Sequence, residues 1–115
     1  MSSSLFFCDI SQIIGKTFVI DIDGTLCSNT NGSYELAVPF EDAIESVRHI
    51  HENGGKITLF TARGSTTGKD WRELTQRQME KWGVPFHELI LGKPFGDYYV
   101  DDKAVHAEVL RNRTT

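Results

Sequence analysis

Acids, hydroxyls and one lysine stand at the ends of the apolar runs in this chain. Asp21 and Asp23 close the run 17–22 and are followed by Gly24 and Thr25; Thr61 closes 56–61, Lys93 follows 88–91, and Asp101 and Asp102 end 98–101. Runs so short and so rich in β-branched and aromatic residues read as strands, with 17–22 buried on both faces. Carboxylates two positions apart leave a strand on the same side. Gly24 permits a sharp turn, and Thr25 adds a hydroxyl and a backbone N–H. In a parallel sheet these ends share one rim, the rim where open α/β sheets bind ligands.

Carboxylates converging on one point repel unless a cation sits among them. All-oxygen donors with no histidine or thiol suit Mg2+. Mg2+ together with Lys93 makes a pocket for a doubly negative phosphoryl group, and Thr61 with the backbone N–H groups of Ala62 and Arg63 supplies donors to its oxygens. Cys27 lies close to the acids, but nothing beside it in the sequence is arranged to ionise it, so it reads as a packing residue.

The elements that must position these residues follow from the pattern between them. Residues 27–37 are polar, with a turn-rich tip at 28–33, and Tyr34 and Leu36 suit the return arm of a small hairpin, a flap over the site. A helix is expected over 40–53, ended by Asn53-Gly54-Gly55, and a second over 70–82, stopped by Gly83 and Pro85. A glycine- and threonine-rich loop spans 62–69, strands follow at 88–91 and 98–101, and a closing helix at 104–111. Strands alternating with helices predict a Rossmann-like, doubly wound, mainly parallel α/β sheet in one domain, 17–115. Residues 1–16 form an apolar extension whose Leu5, Phe6, Phe7, Ile10, Ile13 and Ile14 need cover, from the domain's own flank or from a second subunit.

Composition sets outer bounds. The 115 residues suit a single core, and 39% hydrophobic with 24% charged residues is ordinary for a globular protein. Twelve basic against 16 acidic side chains leave a net charge of −4, which offers no broad cationic surface to nucleic acid. Two cysteines make no disulfide framework and no zinc motif. No stretch has the length of a membrane span or a signal peptide, so cytoplasm is the expected compartment.

The ordered set Asp21-Ile22-Asp23-Gly24-Thr25, Thr61, Lys93 and Asp101-Asp102 resembles the signature of the haloacid dehalogenase superfamily over about residues 17–110. The resemblance implies a phosphatase. Asp21 would be the nucleophile of an aspartyl-phosphate, and Asp23 the acid that protonates the leaving oxygen and the base that activates water. Asp21, the Asp23 carbonyl and Asp101 would hold Mg2+, with Asp102 assisting directly or through water. Thr61 and Lys93 would bind the phosphoryl group. Members that cleave carbon–halogen bonds lack the second acid, so Asp23 points to phosphate esters.

The spacing leaves no room for the cap domain with which superfamily members usually select substrates. From Thr25 to Thr61 only a flap and a helix fit, and from Thr61 to Lys93 only a loop, a helix and a strand. A capless member is open to large substrates or closed by a neighbouring copy, so a homo-oligomer is expected. Phe60-Thr61-Ala62-Arg63-Gly64, Trp82-Gly83-Val84-Pro85-Phe86, Leu91-Gly92-Lys93-Pro94 and Asp101-Asp102-Lys103-Ala104 resemble small bacterial phosphatases of capsule and surface-polysaccharide synthesis, which implies a sugar phosphate. Arg63 and Lys69 are candidates for binding substrate oxygens. A phosphatase acting on nucleotides or nucleic-acid ends, and a non-catalytic phosphate- or metal-binding module, are the alternatives.

Overall fold

Three parallel strands carry the site in the computed structural model, which describes residues 10–111. They are β1, Thr17–Ile20, β2, Lys56–Thr61, and β3, Glu88–Leu91, in the order β1-β2-β3. Val19 pairs with Thr58, and Thr61 with Leu91. The middle strand has neighbours on both sides, so Ile57, Thr58 and Leu59 are all buried, as a continuous apolar run requires.

Helix α1, Glu41–Glu52, joins β1 to β2, and α2, Arg72–Trp82, joins β2 to β3. Ala43, Ile44, Val47 and Ile50 recur at helical spacing and form one wall of the core with Ile20, Ile22, Leu26, Ile57 and Leu59. Two carbonyls at the C-terminal end of α2, those of Trp82 and Gly83, accept from the Arg48 guanidinium of α1 at 3.0 Å each. That bond pair satisfies orphan helix-end acceptors and ties the helices together. Of the apolar extension, Ile13 is fully buried, whereas Ile10 and Ile14 are exposed; residues 1–9 lie outside the described range. Among the described residues, no helix is long and apolar enough to cross a membrane.

Three expectations need correction. Strand β1 is shorter than 17–22 and is not covered on both faces, since Val19 is 63% exposed. The expected strand 98–101 does not form, and Tyr98 and Val100 are 88% and 98% exposed. This segment leaves β3 through Gly92, Pro94 and Gly96, and at its end the Lys103 N–H donates to the Asp101 carboxylate at 2.8 Å. Such a local side-chain bond offers the backbone an alternative to a ladder. The closing helix is one short 3-10 turn, Ala107–Leu110, because its end is held by tertiary bonds instead: the Leu110 carbonyl accepts from Ser46 Oγ, and Arg111 Nε meets both Asp42 oxygens at 2.8 and 2.9 Å.

The flap also departs from a hairpin. Its arms meet at the base, with a bridge between Cys27 and Pro39 and a bond from Ser28 N–H to the Val38 carbonyl at 2.9 Å. Past that base the return arm coils into a 3-10 helix, Tyr34–Leu36.

Candidate active site

The chain leaves β1 at Asp21 and turns at once. Gly24 takes φ +85°, a left-handed conformation open to glycine, and its N–H donates to the Cys27 carbonyl at 2.8 Å. The N–H groups of Thr25 and Leu26 both donate to the Ile22 carbonyl, at 3.1 and 2.8 Å. The Thr25 N–H expected to face a ligand is therefore committed to the turn. Ile22 is buried beneath, and Asp21 and Asp23 stand half-buried on the rim.

Lys93 reaches the rim from β3. Its N–H donates to the Thr61 carbonyl at 3.1 Å, and its carbonyl accepts from Ser65 Oγ at 2.7 Å, so its backbone is gripped from two sides. Its ammonium lies 3.6 Å from Asp21 Oδ1 and 4.1 Å from the centre of the Tyr99 ring. Burial raises the pKa of Asp21 above the ordinary 3.8, and the nearby Asp23 charge adds to it, while Lys93 and the Ile22 N–H oppose the shift. Thr61 is buried, and its hydroxyl accepts from the Arg63 N–H at 3.2 Å. Ala62 is half-buried between them.

Arg63 stands where sequence reasoning did not put it. Its guanidinium is not turned out toward a ligand: the residue is 2% exposed and spends its donors within the protein. Nε and Nη2 meet Asp23 Oδ2 and Oδ1 at 2.9 Å each, and Nη1 meets Thr75 Oγ1 at 3.0 Å and Gln78 Oε1 at 2.6 Å. Nη2 also lies 4.0 Å from Cys27 Sγ. The Tyr34 ring covers one face of the guanidinium, 4.7 Å from Cζ, and packs edge-on against Trp71 at 4.9 Å. Gln78 Nε2 donates to the Tyr34 carbonyl at 2.7 Å, which fastens the flap to α2. The Cys27 thiol, 3.6 Å from Asp23 Oδ1, is pushed up to about 12 by burial first and the Asp23 charge second, so it stays a packing thiol. Thr75 and Gln78 are the participants that sequence reasoning missed; the one available signal was a polar residue at each of two positions on the buried face of α2.

The loop after β2 closes tightly on itself. Gly64 has φ +82°, and a Cβ there would fall 2.2 Å from the Lys69 carbonyl oxygen. Gly64, Ser65, Lys69, Asp70 and Gly92 line a cavity of about 280 Å³ that also touches Arg63. The Lys69 ammonium lies 4.3 Å from the centre of the Trp71 ring.

The structure thus brings Asp21, Asp23, Thr61, Arg63 and Lys93 together, but not Asp101 and Asp102. Those two are exposed, and Asp102 pairs with Lys103 at 3.5 Å. Among the described residues, no group of three or more His, Cys, Asp or Glu side chains is placed to share a metal ion. Asp21 is paired with Lys93, and Asp23 is engaged by Arg63. The oxygens expected to hold Mg2+ are thus divided here between the rim, at Asp21 and Asp23, and the exposed segment that carries Asp101 and Asp102.

No family model and no curated protein matches the chain. A chain from the structure of a Pnkp1/Rnl/Hen1 complex has a TM-score of 0.57 at 20% identity, over 77% of this chain and 31% of that one, a likeness of fold. A structural-genomics crystal structure from Vibrio cholerae has a TM-score of 0.74 at 30% sequence identity, over 83% of this chain and 86% of that one. With that identity over most of both chains, the protein belongs to the same family as the Vibrio cholerae protein.

Proposed function

We propose that this protein is a phosphomonoester hydrolase of the haloacid dehalogenase type, without a cap domain, working through an aspartyl-phosphate. One observation carries the reading: a half-buried carboxylate, Asp21, stands at the end of a parallel strand beside the Lys93 ammonium, with Asp23 held two residues further on. An Asp21 oxygen attacks phosphorus, the ester P–O bond breaks, and Asp23 gives its proton to the departing oxygen to release an alcohol. Water then loses a proton to Asp23 and attacks the same phosphorus. The P–O bond to Asp21 breaks, which frees inorganic phosphate and restores both acids. Lys93 offsets the charge that gathers on the phosphoryl oxygens. Mg2+ is kept in the proposal on the hard oxygen character of Asp21 and Asp101 alone. None of the roles just given depends on it.

A phosphorylated sugar is the proposed substrate. The loop cavity beside Arg63 has Ser65, Lys69 and Asp70 in its lining, residue types that can hydrogen-bond a polyol. Among the described residues, α2 and β3 are the elements between Thr61 and Lys93, which leaves no room for a cap domain in that interval. The deciding experiment is a panel of sugar phosphates, nucleotides and 3′-phosphorylated oligonucleotides, assayed with Mg2+ and with EDTA. Phosphate release from a sugar phosphate, abolished by Asp21→Asn, is the expected result. Preference for the oligonucleotide would end the sugar reading, and no release from any ester would end the enzyme reading.

A further inference from the structure

Resting on that reading, we infer that Arg63 is the positioning residue for Asp23: it fixes the direction of the carboxylate that exchanges the proton and takes no part in holding substrate. A guanidinium has five N–H bonds in a rigid planar fork. Asp23 takes one from Nε and one from Nη2, Thr75 and Gln78 take the two of Nη1, and the second of Nη2 faces Cys27 sulfur. No donor is left for a phosphate or a sugar hydroxyl, and the Tyr34 ring closes one face of the group.

What the fork does for Asp23 is geometric. Two parallel bonds of 2.9 Å fix the plane of the carboxylate as well as its position, which a single point charge cannot do. Oδ1 also faces the Cys27 thiol at 3.6 Å, whereas Oδ2 takes the Nε bond alone among the described residues, so the grip leaves a lone-pair direction on Oδ2 for the proton that Asp23 passes to the departing oxygen and recovers from water. The fork is itself held from behind, by Thr75 and Gln78 on α2 and by the flap through Tyr34. One buried side chain thereby joins β1, the flap and α2 at the atom that moves the proton.

The test separates orientation from binding by the leaving group. Arg63→Lys keeps the charge and loses the fork. Rates are measured on p-nitrophenyl phosphate, whose phenolate departs without help, and on glycerol 2-phosphate, whose alkoxide needs a proton. Arg63→Lys is expected to lower kcat on the alkyl ester by about 100-fold, the low end of what a positioned acid contributes. On the aryl ester kcat falls less than about tenfold, and KM for both esters stays within about threefold. Asp23→Asn, run beside it, shows the same selectivity. Should Arg63→Lys fail to fold, Thr75→Val, close in shape but lacking the hydroxyl behind Nη1, is read the same way and shows a smaller loss of the same selectivity. Equal losses on both esters, or a rise in KM with kcat unchanged, overturn the assignment while leaving an active wild-type protein a phosphatase. A wild-type protein inactive on both esters removes the reading and the assignment together.

Discussion

The Arg63 guanidinium grips both carboxylate oxygens of Asp23, Nε on Oδ2 and Nη2 on Oδ1, at 2.9 Å each. The arginine side chain is wholly buried and the aspartate nearly so, with side-chain exposures of 0% and 15%. A buried ion pair owes as much to the cost of breaking it as to the gain from making it.

Asp23→Ala should therefore destabilise the fold by about 3 kcal/mol, since it leaves a guanidinium buried without its counter-charge. Asp21→Ala should cost less than that, because the Lys93 ammonium it abandons is not wholly buried and keeps the face of the Tyr99 ring. Urea midpoints of the two variants check the contrast. Equal midpoints would contradict the role given to Arg63.

Asp21→Asn should lose at least about 10³-fold in turnover, the nucleophile being gone. It should also be more stable than the wild type at pH 7 in EDTA. The sign follows from burial, which raises the Asp21 pKa above 3.8, so the native state binds more protons than the unfolded chain between those two values. Stability falls as pH rises through that window and stays lowered above it, and an amide escapes the penalty. Thermal melts should show the variant ahead at pH 7, with the gap closing below pH 3.8.

Lys93→Met should raise KM for p-nitrophenyl phosphate by about tenfold or more, through loss of an ammonium that meets the phosphoryl charge in both ground and transition states. The same change removes the one opposing charge on Asp21, so the acid limb of kcat/KM moves to higher pH. A pH profile of wild type and variant reads both effects.

Gly64→Ala should cost about 1–3 kcal/mol and most of the activity, because φ +82° and a Cβ lying 2.2 Å from the Lys69 carbonyl oxygen cannot both be kept. Gly68→Ala, at φ +77° but with open space around it, carries the backbone strain alone and should be milder. Comparing their melting points isolates the close approach from the dihedral.

What the sequence made legible were the features set by local chemistry. Strand β3 falls at 88–91 as expected, and α1 and α2 come within two residues of their expected ends, because apolar spacing and the glycines after each helix act over a few residues. Asp21 beside Lys93 was legible from strand ends alone. Arg63 was not: it lies in a polar, glycine-rich loop that reads as solvated, and its partners Asp23, Thr75 and Gln78 are 40, 12 and 15 residues away. The 98–101 run has strand composition, yet composition does not say whether a short segment finds a partner, and the Asp101 turn to Lys103 competes for its backbone. The hairpin expected at 27–37 departs for a similar reason, since the 3-10 turn lays Tyr34 on the distant Arg63 guanidinium, a contact the local sequence does not show.

The stretch that carries Asp101 is moored at both ends. Lys93 is held by Thr61 and Ser65 at one side, while Leu110 and Arg111 are fastened to Ser46 and Asp42 of α1 at the other. A chain pinned so cannot drift off as a free tail; it can only arch between two fixed posts, and the entropy forfeited on laying it down anywhere along that arc is correspondingly small. Its acids, Asp101 and Asp102, are thereby tethered to the domain on both sides. Loosening the far mooring, by Asp42→Ala, should let the arc range more widely without touching a single atom of the rim.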